Sequence, residues 1–321
     1  MSQLIHEIKE AARDFLRDGE DRTVIGFEQG SLPLQSRPCF IRKENDLERL
    51  VWNGFCKNNL AGYLPKRKGK IAIVVKGCDS RALVELIKEN QITRDQLVII
   101  GVACNGMIDR NKIEADMDGE SIVDVEEGED VLTIKGTNSS KVFDRKEYLY
   151  DHCKVCTNPV PVIHDILLGQ RDSNTPQAPV NDTFSDLEDF SALDGKERWK
   201  YFTEEMNKCI RCYACRNACP MCYCPECFVD ASRPQWVGKS TDLSDTMIFH
   251  LMRAFHLAGR CVGCGACEQA CPMGVDIRKL NRRLQKDVMD LFHYKAGCNL
   301  EEKTPLATFR TDDSDSFMVE P

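Results

Sequence analysis

The stretch CIRCYACRNACP, residues 209–220, is answered by CVGCGACEQACP, residues 261–272. Both read C-x2-C-x2-C-x3-C-P, the spacing that holds [4Fe–4S] cubanes in bacterial iron–sulfur proteins. A cubane needs four thiolates at the corners of a tetrahedron. Two-residue gaps let one tight loop present three of them. The fourth Cys leads into Pro, where the chain turns away, and it reaches the other cluster when two such motifs pair. The spacing therefore assigns Cys209, Cys212, Cys215 and Cys271 to one cluster. It assigns Cys261, Cys264, Cys267 and Cys219 to a second. Zinc knuckles and disulfides are the weaker alternatives, because zinc sites usually pair two C-x2-C units rather than repeat three thiolates and a C-P.

Working outward, residues 196–299 form a mostly helical, dicluster ferredoxin-like domain. KERWKYFTEEMNKC is a helix delivering the first loop. SDTMIFHLMRAFHLAG is an amphipathic helix capped by Ser244 or Asp245 and closed by Gly259, and VDIRKLNRRLQKDVMDLFHYKAG is the last helix. His250 and His256 read as structural hydrogen-bonders rather than ligands. Between the two motifs, MCYCPECFVD adds Cys222, Cys224 and Cys227. These read as thiols shielding the clusters, since a further metal site would need Cys298 or a single upstream Cys as its fourth ligand. Residues 300–321 are an acidic, aperiodic tail.

Toward the N-terminus, 171–195 is a polar, Pro-containing linker, and 1–170 has the pattern of an α/β domain with a parallel-containing sheet. Residues 1–17 form a helix with Leu4, Ile5, Ile8, Ala12, Phe15 and Leu16 on one face. VIGFE is a strand, and NDLERLVWNGFCKNNLAGYL is helical, capped by Asn45 or Asp46. Cys39 and Cys56 are small buried hydrophobes, and PKRKGK is a solvated turn. IAIVV, KGCDSRALVELIKEN and QLVIIGVACNGMID then read strand, helix, strand: a βαβ unit with parallel strands. That order brings Cys78 and Cys104 together at the carboxyl edge of the sheet, where open α/β sheets keep their sites. SIVDVEEGEDVLTIKG is a hairpin, and HCKVC supplies Cys153 and Cys156. Four thiolates suffice for a cubane or for zinc, spacing alone does not choose, and an apolar site with inert thiols is the third alternative.

IAIVVKGCDSRAL, VIIGVACNGM and CKVCTNPVPVIHDILLG resemble the beta subunit of the deazaflavin (coenzyme F-420)-reducing hydrogenase. That family also covers formate dehydrogenase beta subunits and deazaflavin-dependent sulfite reductase. The resemblance spans roughly 65–170 and implies that Cys78, Cys104, Cys153 and Cys156 hold a third [4Fe–4S] cluster beside FAD, which exchanges hydride with the deazaflavin. The family's Gly-rich stretch has no counterpart in VIGFEQGSLPLQSRPCFIRKENDLE, so tight flavin binding by the isolated chain is not expected. The C-P-x-C-x-C run resembles the iron–sulfur subunits of sulfhydrogenases and anaerobic sulfite reductases.

Of 321 residues 18 are Cys, and the formal charge is −8. An acidic chain argues against a nucleic-acid partner. There is no apolar run of membrane-spanning length and no export signal, so thiol-rich loops point to the reducing cytoplasm. There is no P-loop, dinucleotide fingerprint, nucleophile elbow or haem motif, and no catalytic residue is assigned. The expected function is an electron-transfer subunit of a multisubunit anaerobic oxidoreductase, of heterodisulfide reductase, hydrogenase or formate dehydrogenase type. Its partners would be redox subunits, with a small redox carrier as a further one. The alternative is a flavin-bearing subunit oxidising or reducing deazaflavin or NAD(P)H. A free dicluster carrier would not need the N-terminal half. The linker leads us to expect that the two halves behave independently.

Overall fold

The computed structural model describes residues 2–169, 184–309 and 311. Helix α1 (Ser2–Arg17) is followed by strands β1 (Arg22–Gln29), β2 (Ser36–Ile41), β3 (Leu50–Val51) and β4 (Lys70–Val75), helix α2 (Gly77–Lys88) and strand β5 (Leu97–Val102). Strand β9 (Ile166–Leu168) completes the principal sheet, in the order β2-β1-β4-β5-β9 with β3 on β1. Strands β1, β4, β5 and β9 run parallel, while β2 and β3 are antiparallel to β1. The expected βαβ unit is β4-α2-β5. Its strands are near-continuous apolar runs because both faces of the sheet are covered. Val24, Ala72, Val74 and Ile100 meet Ile8, Ala12 and Phe15 of α1 on one face. Ile25, Ile73, Val75 and Ile99 turn to the other face, with Leu83 and Leu86 of α2.

Helix α3 (Arg110–Asp116) and strands β6 (Ile122–Glu127), β7 (Val131–Gly136) and β8 (Ser140–Asp144) form a small antiparallel layer with its own core. The expected hairpin is β6-β7. Strand β8 is an addition, short and with Val142 turned to solvent.

The expected helix over 45–64 does not form. A six-residue 3-10 segment, Glu44–Arg49, and a shorter 3-10 turn, Leu60–Tyr63, flank β3 and an irregular bend. Neither Asn45 nor Asp46 caps it; the N-cap of the first turn is Lys43. Local side-chain hydrogen bonds win over helix here: Asn53 Oδ1 accepts from Phe55 N at 3.0 Å and from Ser36 Oγ at 3.0 Å. Cys39 and Cys56 are buried as expected, and burial pushes both thiols up to about 11.

Helix α4 (Asp151–Lys154) belongs to the first half, and the C-terminal half comprises α5 (Glu188–Ala192), α6 (Gly195–Asn207), α7 (Ala214–Asn217), α8 (Leu243–His256), α9 (Ala266–Gln269) and α10 (Ile277–Phe292). Part of the expected linker, 171–183, lies outside the described residues, as does residue 170 before it. The rest of it is not aperiodic, since a 3-10 turn at Ser185–Leu187 leads into α5. Asp186 pairs there with Arg278 and with Arg282, the latter at 3.1 Å. Helix α8 starts two to three residues earlier than expected, with Asp242 as N-cap, while Asp245 accepts from Gly238 N at 3.0 Å and from Ser240 Oγ at 2.9 Å. In the expected tail, Pro305–Ala307 is a 3-10 turn, and 310 and 312–321 lie outside the described residues.

The two halves share one core. Met221, Leu257, Val262, Val288 and Tyr294 pack into the same apolar cluster as Leu60, Ile71, Ile73 and Leu83. Polar residues of α2 close the seam. Arg81 donates to Ala296 O at 2.7 and 3.0 Å. Glu85 accepts from Tyr294 Oη at 2.7 Å and Gly297 N at 2.6 Å. Glu89 pairs with Arg260, which also donates to Tyr223 Oη at 2.6 Å.

Candidate iron–sulfur site

Both ferredoxin-type loops pass through the same backbone. The residues flanking the second Cys are left-handed in each: Arg211 and Tyr213 around Cys212, Gly263 and Gly265 around Cys264. Each loop then enters a one-turn helix that carries its third Cys, α7 for Cys215 and α9 for Cys267. Left-handed residues turn peptide N–H groups toward the loop interior, where they meet sulfur. Arg211 N donates to Cys209 Sγ at 3.4 Å in the first loop, and beyond the second loop Val275 N, after left-handed Gly274, donates to Cys271 Sγ at 3.4 Å.

Side chains add to this shell. His250 Nε2 lies 3.3 Å from Cys209 Sγ. Burial, then the charges of Arg253 and Arg211, bring the His250 pKa down to about 4, so its neutral ring suits an N–H donor to sulfur. The hydrogen-bonding role expected of His250 is therefore met. His256 is exposed and packs edge-on against Phe228. Asn281 of α10 places Nδ2 3.7 Å from Cys267 Sγ, and Gln285 Nε2 donates to Cys261 O at 2.8 Å.

Between the loops lies Arg253, 3% exposed, donating to Cys215 O at 3.1 Å. Burial opposes its charge, yet Cys219, Cys267, Cys222 and Cys215 hold its pKa above the ordinary guanidinium range. Sequence reading passes over this residue, because a lone Arg on an amphipathic helix reads as a solvated charge.

The N-terminal four-Cys set is organised in the same manner. Cys78 occupies the first turn of α2, Cys104 follows β5, and Cys153 lies on α4 with Cys156 just beyond it. Gly106 N donates to Cys104 Sγ at 3.3 Å and Met107 N to Cys153 Sγ at 3.3 Å. Arg145 fixes that loop by donating to Asn105 O at 2.7 Å and Gly106 O at 2.9 Å. Buried Lys76, 2.9 Å from Asp79, adds a positive charge beside Cys78 and Cys104. Burial pushes the thiols of Cys78, Cys104 and Cys153 up. It also pushes those of Cys215, Cys264 and Cys267 up to about 12. Desolvated thiols of this kind become thiolates when a metal replaces their protons. Together with the N–H donors at sulfur, they fit an iron–sulfur group.

Cys78, Cys104, Cys153 and Cys156 line one cavity of about 370 Å³ together with Cys261, Cys264 and Cys267. His152 bridges its two sides. Gln269 Nε2 lies 3.1 Å from His152 Nε2, and a Cβ on Gly265 would overlap the imidazole. Sequence reading misses this residue although it stands beside Cys153, because a buried His has no sequence pattern of its own.

Among the described residues no three His, Cys, Asp or Glu side chains converge on a single ion. Cys222 hydrogen-bonds Cys219, and this bond, opposed by burial and aided by Arg253, brings its thiol down to about 7. Cys224 is exposed, Cys227 packs near Cys215, and Cys298 stands apart near Ala296 O.

Residues 68–181 match the family model for the C terminus of the coenzyme F420 hydrogenase/dehydrogenase beta subunit, and residues 205–275 match the 4Fe-4S dicluster domain. A curated relative, the F420-dependent formate dehydrogenase subunit beta of Methanocaldococcus jannaschii, is 26% identical over 85% of this chain and 86% of its own. The F420-dependent formate dehydrogenase 1 subunit beta of Methanococcus maripaludis is 26% identical over 87% of each. A chain of the F420-reducing [NiFe] hydrogenase complex from Methanosarcina barkeri aligns with a TM-score of 0.38 and 14% identity, over 47% of this chain and 59% of that one. The expected resemblance and the expected iron–sulfur, electron-transferring character are thus shown. No helix among the described residues is long and apolar enough to cross a membrane.

Proposed function

We propose that this chain is the electron-relay subunit of a multisubunit, cytoplasmic oxidoreductase. It would hold three [4Fe–4S] clusters, on Cys209, Cys212, Cys215 and Cys271; on Cys261, Cys264, Cys267 and Cys219; and on Cys78, Cys104, Cys153 and Cys156. Such clusters accept and release single electrons at potentials set by burial and by hydrogen bonds to sulfur. The observation that carries the reading is the shared cavity, where cysteines of both halves face one another with His152 between them. The chain's own residues hold the thiolates at fixed separation, exclude water through the common core, and aim N–H donors and Arg253 at sulfur. The names of the two curated relatives favour a formate dehydrogenase assembly with a deazaflavin as its small carrier.

Iron analysis after anaerobic purification tests this. Three cubanes give about 12 Fe per chain. About 8 Fe with one zinc would turn the N-terminal set into a zinc site, and about 8 Fe with no other metal would remove that site.

A second reading rests on the same cavity. Its volume lies in the range of cofactor pockets, and Lys57, Arg145, Lys146 and Lys154 supply cations along its wall. A flavin there would make this chain itself the acceptor from reduced deazaflavin or NAD(P)H. Acid extraction of a desalted, FAD-reconstituted preparation decides: near-stoichiometric flavin establishes the second reading, and its absence leaves the relay.

A further inference from the structure

The internal repeat extends beyond the cysteines, because ACPM at 218–221 recurs at 270–273 and the residue after each first Cys is Ile210 or Val262. These matched positions have opposite fates. Val262 and Met221 flank the second loop's proposed cluster and are 3% and 2% exposed, inside the core shared with the α/β half. Ile210 and Met273 flank the first loop's proposed cluster and are 52% and 44% exposed. Cys212 is exposed as well, whereas Cys264 is partly covered. The covered face shows what such a face receives: apolar protein surface with a set of cysteines directly behind it, here Cys78, Cys104, Cys153 and Cys156.

We propose that the face of Ile210, Cys212 and Met273 is the docking surface for an electron-transfer partner protein that presents an apolar patch over its own redox centre. The inference rests on the relay reading and supplies the relay's outer terminal. Two exposed apolar side chains beside an exposed ligand bring a partner's centre close without burying a charge. A second copy of this chain is the poorer occupant. Docked face to face, two copies would join identical relays end to end and block the outer terminal of each. The formal charge of −8 on each copy also opposes their approach.

The test uses the tagged full chain, purified anaerobically from its native cells, as wild type and as Ile210→Glu/Met273→Glu. The double variant should retain its iron and paramagnetic signals while losing, by at least tenfold, a co-purifying protein that contains flavin or metal. Leu291→Glu, on the exposed side of α10, should retain it. A photo-crosslinking residue at Met273 in the otherwise unchanged chain should join to that same protein. This arm decides alone if the double variant fails to fold. Equal retention by the double variant, or crosslinks only to a second copy or to a protein without a redox centre, overturns the proposal. A wild-type chain without iron overturns instead the relay reading beneath it.

Discussion

Arg211 and Tyr213 of the first loop hold φ angles of 54° and 59°, and Gly263 and Gly265 of the second hold 69° and 68°. The backbone demand is common, set by presenting three sulfurs from seven residues, but the side chains answering it differ. A non-Gly residue in this region costs about 1–2 kcal/mol. In the first loop contacts offset the strain: Arg211 donates to Tyr213 Oη at 3.0 Å and Gly238 O at 3.1 Å, and the Tyr213 ring meets Phe249 edge-on. The second loop leaves no such room. His152 occupies the space where a side chain on Gly265 would go, and a Cβ on Gly263 would lie 3.3 Å from Gln285 Nε2. One loop is built to face outward and the other to be packed upon.

That contrast is broken most severely at Gly265. Gly265→Ala adds left-handed strain and drives a methyl into the His152 ring, a combined cost of about 3 kcal/mol. For a chain this long the temperature of cluster loss should fall by about 5–10 °C. Tyr213→Gly, at the matched position, relieves strain while losing ring contacts, and should move that temperature by less than half as much. Equal losses at the two positions would show that backbone angle alone, not the packing against His152, separates the loops. Thermal scans of the iron–sulfur absorbance provide the measurement.

Arg253 belongs to both loops, and its removal sharpens the comparison by acting on both proposed clusters at once. A buried positive charge favours the reduced, more negative form. At about 8 Å and an effective dielectric of about 20 a unit charge is worth about 2 kcal/mol, or roughly 90 mV for a one-electron couple. Arg253→Gln should therefore lower the potentials of both C-terminal clusters by up to about 90 mV, while Arg253→Lys keeps most of the original value. Redox titration followed by paramagnetic resonance reads both. A shift confined to one cluster would place the charge with that loop alone.

The parts of the molecule legible in sequence are those whose pattern is imposed locally. Sulfur spacing exposes both loops, and IAIVV and LVIIGV show as parallel strands because both faces are buried. The seam between the halves is hidden by its polarity. Arg81 and Glu85 on α2 and Glu89 at its C-cap recur every fourth residue, a spacing that suits a solvated stripe, yet each is bonded across to 223–297. The linker pattern suggests separate halves, whereas their joint core cannot be seen until partners far apart in sequence are paired. The 45–64 segment departs from its helical pattern because Asn53 satisfies the local backbone better than a helix would.

The smallest effect concerns single hydrogen bonds. Each loop has one neutral side-chain N–H near a sulfur: His250 at 3.3 Å from Cys209 and Asn281 at 3.7 Å from Cys267. Removing a donor destabilises the reduced, more charged state more than the oxidised one. The full bond to a charged group is worth about 1.5–3 kcal/mol, of which only the difference between oxidation states appears in the potential. His250→Phe should lower the potential of the first loop's cluster by about 50 mV. Asn281→Leu, removing a longer bond, should lower that of the second by about 20 mV. Unlike Arg253→Gln, each change should leave the other cluster in place. The pair also tests the ligand assignment, because the proposed sets place Cys267 with Cys261 and Cys264, and Cys209 with Cys271. If Asn281→Leu moved the cluster that also responds to His250→Phe, the two sets of ligands would have to be redrawn.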